Sequence, residues 1–137
     1  MPTNIATEPQ MVSSEQQLAN AQLVRAYIEA RHEGDPTVYE RFFAENVRIY
    51  IDSREDYPIG EKIGVGLDTL KQNAKELSHV GFKYDIEIHS IHTVGPVVIV
   101  SRTDTRKEEG KPDKPVPAVG VFAVKNGKII EWSDYYR

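Results

Sequence analysis

Apolar residues near the start of the chain recur at helical spacing, whereas those towards the end recur every second position. Ser13 and Ser14, followed three residues later by Gln16 and Gln17, mark the start of a helix that runs to about Glu33. Val24, Tyr27, Ile28 and Arg31 fall on one side of it. Gly34-Asp35-Pro36 stops this helix and opens a short second one that ends near Phe43. Val47 to Asp52 alternates as a strand, with Val47, Ile49 and Ile51 opposite Arg48, Tyr50 and Asp52. A loop over Ser53 to Gly66 leads to a third helix, about Leu67 to Leu77. The remainder is strands: Phe82 to Thr93 and Pro96 to Lys107 turn at Val94-Gly95, and Val116 to Val124 and Lys128 to Tyr136 turn at Asn126-Gly127. The charged, proline-containing stretch from Lys107 to Pro115 is a solvated connection. Helices followed by a run of strands predict an α+β domain, with three N-terminal helices packed on a curved, mostly antiparallel sheet. Such a sheet and its helices form a cone with an internal pocket.

Two strands break their own apolar stripe with charge. Val98, Val100, Arg102 and Asp104 share one face of the first, and Ile130, Trp132 and Asp134 share one face of the second. A stripe that begins apolar and ends in Arg and Asp reads as a core floor opening into a charged pocket. Two carboxylates about one arginine are suited to acid–base work.

At 137 residues with 39% hydrophobic and 28% charged positions, the chain has the size and make-up of one globular domain. Residues 1–12 are expected to form a mobile tail and residues 13–137 the domain. The absence of cysteine rules out disulfides, thiol nucleophiles and cysteine-held metals, and fits a reducing cytoplasm. Apolar runs such as Val97 to Val100 are too short to span a bilayer, and no signal peptide is apparent at the N-terminus. A net charge of −4 argues against nucleic acid and anionic membranes as partners.

With this order of elements, the chain resembles the limonene-1,2-epoxide hydrolase family, within the cone-shaped domains that include ketosteroid isomerases and polyketide cyclases. The resemblance runs from about Leu23 to Tyr136. It is most specific in Ser101-Arg102-Thr103-Asp104, Val119-Gly120-Val121-Phe122 and Gly127-Lys128-Ile129-Ile130-Glu131-Trp132-Ser133-Asp134-Tyr135-Tyr136. It implies that Arg102, Asp104 and Asp134 form the family's catalytic Asp–Arg–Asp set, with Asp134 as general base, Asp104 as general acid and Arg102 as the bridge. The family also holds its attacking water with a Tyr and an Asn two residues apart on the first strand. Tyr50-Ile51-Asp52 has that spacing with Asp in place of Asn. Gapless counting from Phe43-Ala44-Glu45 would instead place Ile49 and Ile51 there, and a one-residue slip reverses every side chain.

The resemblance implies cofactor-independent hydrolysis of a small apolar epoxide to a diol by one-step water attack, with no metal. The alternative is a ketosteroid isomerase-like or polyketide cyclase-like proton-transfer enzyme, with Asp104 or Asp134 as base and Tyr27 or Tyr50 as oxyanion donor. A third reading is a non-catalytic ligand-binding domain of the same fold. A homodimer is expected, because exposed faces of curved sheets pair. Arg-x-Asp by itself arises by chance on the order of once per 300 positions, so its weight comes from Asp134 and the resemblance.

Other candidates are weaker. His89 and His92, three apart on a strand, should face opposite sides, which is poor metal geometry. They read as surface histidines, as do His32 and His79. Gly60, Gly64 and Gly66 lack the strand–turn–helix surroundings of a dinucleotide fingerprint.

Overall fold

The computed structural model describes residues 12–32, 37–52, 62–78 and 83–136. The elements are α1 (Ser14–His32), α2 (Val38–Phe42), β1 (Phe43–Asp52), β2 (Lys62–Val65), α3 (Leu67–Ser78), β3 (Lys83–Val94), β4 (Val97–Lys107), β5 (Lys114–Lys125) and β6 (Lys128–Tyr136). The tail before Val12, the Gly34-Asp35-Pro36 break, the first part of the long loop and the expected strand start at Phe82 lie outside the described residues.

Local chemistry explains the ends of several elements. Ser13 caps α1, its Oγ accepting from the backbone N–H of Gln16 at 3.1 Å. At the β5–β6 hairpin, Asn126 and Gly127 take φ of 51° and 73°, the pair of positive values a type I′ turn demands. Lys128 Nζ donates to the carbonyls of Glu40 and Arg41, closing the end of α2 onto β6.

The strands form one mixed, open sheet in the order β2-β1-β6-β5-β4-β3, with the helices packed on it. The α+β architecture expected from the sequence is present. All neighbouring pairs are antiparallel except β1 and β6, which run parallel. Three local expectations are corrected. Residues 62–65, expected within a loop, form the edge strand β2 beside β1. The hairpin of β5 and β6 slips register between Ala123 and Val124, leaving Ile130 without a partner. The bulge puts Ile129 at 0% exposure, whereas Ile130, expected in the core stripe with Trp132, is half-buried. A second bulge lies between Ile88 and Ser90. It brings Ile88 and Ile91 to the packed side and leaves His89 and His92 both exposed, where strict alternation would have separated them.

The helix-facing side of the sheet is the core. Val24, Tyr27 and Ile28 of α1 are buried, as the helical spacing predicts. Tyr27 anchors an aromatic cluster, edge-on to Phe43 at 4.7 Å and to Trp132 at 6.0 Å, while Phe122 and Trp132 stack with an interplanar angle of 5°. Each fully buried large side chain contributes about 1.5–3 kcal/mol, so this cluster fixes α1 against β5 and β6.

Candidate active site

The charged ends of the two stripes meet across an intervening strand. Alternation along β4 places Val98, Val100, Arg102 and Asp104 on the core face, and all four are buried. Alternation along β6 does the same for Trp132, Asp134 and Tyr136. These strands are not neighbours, because β5 lies between them. Two strand spacings separate them by about 10 Å, a gap only a long side chain can bridge. On β5 the core-facing residues at this level are Ala118, paired with Arg102 and Tyr136, and Gly120, paired with Val100 and Asp134. Their small size leaves room for the Arg102 side chain to lie across β5.

Arg102 uses its whole fork. Nε and Nη2 donate to Oδ1 and Oδ2 of Asp104 at 2.9 and 3.1 Å. Nη1 and Nη2 donate to Oδ1 and Oδ2 of Asp134 at 2.9 and 2.6 Å. Trp132 Nε1 adds a further donor to Asp134 Oδ1 at 2.8 Å. The Tyr136 hydroxyl lies between the acids, 3.2 Å from Asp104 Oδ2 and 3.3 Å from Asp134 Oδ2, and accepts from Arg102 Nη2 at 3.2 Å. The side chains of Arg102, Asp104 and Asp134 are no more than 2% exposed. A buried charge persists only when paired and hydrogen-bonded, and this set meets both conditions.

Electrostatics give Asp134 a defined state. Burial pushes its carboxyl up, but the Arg102 charge, the Arg102 hydrogen bonds, the Arg31 charge and the Trp132 N–H together hold it below the usual carboxylate range. Asp134 is therefore an ionised group in a dry setting. Burial disfavours the Arg102 charge, yet Asp134 and Asp104 hold it protonated well beyond the ordinary guanidinium value. Burial, followed by the nearby Asp134 charge, raises the Tyr136 phenol.

The first strand turns Tyr50 and Asp52 away from the face that carries Asp134. β1 runs parallel to β6 with Ile49 beside Trp132, Ile51 beside Asp134, Tyr50 beside Ser133 and Asp52 beside Tyr135. Side-by-side residues share a face, so Ile49 and Ile51, both buried, belong to the face that carries Asp134. Tyr50 and Asp52 are placed on the opposite face, where the Tyr50 ring lies 6.0 Å from that of Tyr135. Of the two registers left open at this strand, the pairing with β6 matches the gapless one, with Ile49 and Ile51 on the Asp134 face. Asp104, Arg102 and Asp134 are brought together; Tyr50 and Asp52 are not.

Four further residues surround this set of charges. Tyr136 follows Asp134 by two on the same strand, so alternation alone could have placed it there. Trp132 belongs to the core by its alternation, and its indole N–H also donates to Asp134. Gly120 becomes visible only once β5 is known to lie between β4 and β6. Arg31 falls on the packed side of α1 by its helical spacing, and its guanidinium carbon stands 5.7 Å from the centre of the Trp132 ring. Tyr27 is buried at 1% exposure, and its hydroxyl has no hydrogen-bond partner among the described residues. Burial raises this phenol strongly, so it is a neutral donor. Among the described residues, no group of three or more His, Asp or Glu side chains is arranged to hold a metal ion. His89 Nε2 lies 2.7 Å from Thr103 Oγ1 on the exposed side of the sheet.

A family model for the SnoaL-like domain matches residues 24–132. No curated protein matches the chain. Among solved structures, an M. tuberculosis LEH-like epoxide hydrolase is similar with a TM-score of 0.70 at 19% identity, over 88% of this chain and 84% of that one. An NTF2-like protein of unknown function from Burkholderia pseudomallei K96243 has a TM-score of 0.74 at 19% identity, over 87% and 91% of the two chains. A Jannaschia sp. CCS1 protein assigned as a SnoaL-like polyketide cyclase has a TM-score of 0.71 at 18% identity, over 93% and 91%. At these identities the likeness to the solved structures is one of fold. The family match covers most of the sequence, and the chain belongs to the SnoaL-like domain family.

Proposed function

We propose that this SnoaL-like domain opens a small epoxide with an apolar body to its diol by direct attack of water. The observation that carries this reading is Arg102 bonded at once to Asp104 and Asp134 in a buried setting. Epoxide opening needs a base to take a proton from water and an acid to protonate the departing oxygen. Asp134, held ionised, is the base. Asp104, in its acid form, is the proton donor. With one arginine between them, a single shared proton keeps the set electrically balanced.

Water loses a proton to Asp134 while its oxygen bonds an epoxide carbon. The carbon–oxygen bond of the ring breaks, and the departing oxygen takes the Asp104 proton. The Tyr136 hydroxyl, within reach of Oδ2 on both acids, resets the pair. It takes the proton from Asp134 as its own passes to Asp104. Ile49 and Ile51 give an apolar wall beside Asp134, suited to a hydrocarbon body. The test is diol formation from cyclohexene oxide and limonene-1,2-epoxide, followed by gas chromatography. No diol above that formed by Asp134→Asn would sink the reading.

A specific observation favours a second reading. The buried Tyr27 hydroxyl, without a hydrogen-bond partner among the described residues, fits an oxyanion donor, which a proton-transfer enzyme acting next to a carbonyl needs and an epoxide hydrolase does not. Exchange of the α-protons of a cyclic ketone in deuterated water, without diol formation from epoxides, would select it.

For assembly, we propose pairing of two copies through the sheet face opposite the helices, where Val119 is 40% exposed. No described helix is long and apolar enough to cross a membrane.

A further inference from the structure

Arg31 stands out among the described arginines. Arg25 pairs with Glu29 and Arg48 with Glu131 on the surface, and Arg102 is saturated by two acids. Arg31 makes no ion pair or hydrogen bond among the described residues; its guanidinium lies against the face of Trp132, and its charge acts on Asp134 from a distance. It is only partly exposed, so its five donors are held near the core with no hydrogen-bond acceptor among the described residues. One turn earlier on the same face of α1, the Tyr27 hydroxyl is buried and also lacks a hydrogen-bond partner among the described residues. Both side chains approach Trp132: the Tyr27 ring centre is 6.0 Å away and the Arg31 guanidinium 5.7 Å. Trp132 in turn donates to Asp134. Two donor groups without a hydrogen-bond acceptor among the described residues thus converge on the ring that donates to Asp134.

We propose that Arg31 and Tyr27 form a carboxylate-binding subsite, and that the substrate carries a carboxylate close to the group that reacts at Asp134. A carboxylate matches the planar fork of arginine with two parallel hydrogen bonds, and its remaining lone pairs suit a neutral phenol donor. Tyr27 supplies a proton-bearing oxygen because burial keeps it neutral. Ile49, Ile51 and the aromatic cluster bound the apolar remainder. The proposal deepens the hydrolase reading by making the substrate an epoxy acid. It rests on that reading for the reacting epoxide and not for the binding of the carboxylate.

The chain has one tryptophan, Trp132, so binding at this spot is readable from its emission. Cyclohexanecarboxylate and cyclohexanecarboxamide, alike in shape and different in charge, are titrated into the full chain. The carboxylate should saturate the signal and bind tighter than the amide by about tenfold or more, the ratio expected for charge-assisted hydrogen bonds. Arg31→Gln should abolish the preference, and Arg31→Lys, which keeps the charge but loses the fork, should restore part of it. Equal binding of the two probes, no saturable response to either, or an unchanged preference in Arg31→Gln overturns the proposal. The comparison of the two probes on the unsubstituted chain stands even if a variant fails to fold. If Arg31 served only to balance the charge of the acid pair, its substitution would alter both probes equally. Turnover of 3-cyclohexylglycidate separates the two ideas. Carboxylate preference without turnover removes the hydrolase reading and leaves the subsite; turnover of epoxides without the preference does the reverse.

Discussion

A methyl group placed on Gly120 would lie 2.8 Å from Nη1 of Arg102. It would also lie 2.9 Å from Oδ1 of Asp134, on the far side of the same bond. The arginine reaches Asp134 only by passing over β5 at the one residue without a side chain. Gly120 has no positive φ to require glycine, so its need is spatial. In a strand, alanine is ordinarily preferred to glycine by propensity. Here Gly120→Ala should destabilise the fold by about 1–3 kcal/mol through overpacking, and should break the Arg102–Asp134 contact. Urea unfolding reads the first effect and loss of diol formation the second. A stabilised variant would show that β5 has room to spare.

The fork of Arg102 is the keystone of the buried charge. Arg102→Met removes one partner and leaves two acids buried without it, which should cost about 3–5 kcal/mol in stability at neutral pH. Arg102→Lys keeps the charge but lacks the donors for four carboxylate contacts, and should fall between the two. Denaturant midpoints at fixed pH decide the order. Equal stability of the lysine variant and the parent would mean that charge alone holds the site.

The depressed ionisation of Asp134 makes stability depend on acid. Its folded value lies below its unfolded one, so the unfolded chain takes up the proton first. The stabilisation is complete above the ordinary carboxylate value near 4 and is lost as pH falls from there through the folded value. Urea midpoints between neutral pH and strongly acidic pH should drop across that window. In Asp134→Asn the drop should be shallower, from a lower starting stability, because Arg102 has lost an acid. A drop of equal depth in both proteins would assign the acid sensitivity to other carboxylates.

Asp104→Asn and Asp134→Asn should each abolish hydrolysis while the chain stays folded, since an amide performs neither proton transfer. In oxygen-18 water, a single turnover should label the diol and leave the protein unlabelled if the proposed direct attack of water holds. Label in Asp104 or Asp134 would reveal an ester intermediate and end the one-step mechanism.

Tyr50→Phe and Asp52→Asn should leave the hydrolysis rate within about twofold of the parent, as expected for substitutions away from the site. Both residues are on the sheet face opposite Asp134. A tenfold loss in either would contradict the parallel register of β1 and β6.

Local alternation was enough to put Arg102 with Asp104, and Trp132 with Asp134, because the side chains of a strand take turns regardless of what the strand pairs with. The helical face of Val24, Tyr27 and Ile28 and the Asn126-Gly127 turn were legible for the same reason: each depends on neighbours in sequence. The α+β class followed from the order of those local signals. What needed the tertiary structure was everything set by pairing between distant segments. The bulges beside Ile130 and at His89 interrupt alternation without leaving a mark in composition. Strand β2 is short, and takes its pairing from β1 rather than from its own pattern. The choice between Tyr50 with Asp52 and Ile49 with Ile51 turned on a one-residue register, which only the alignment of β1 against β6 settles. Gly120 matters because β5 separates two strands whose charges must meet. Strand order, register and the space above a glycine are non-local quantities, determined when the whole sheet closes its hydrogen bonds and buries its apolar face.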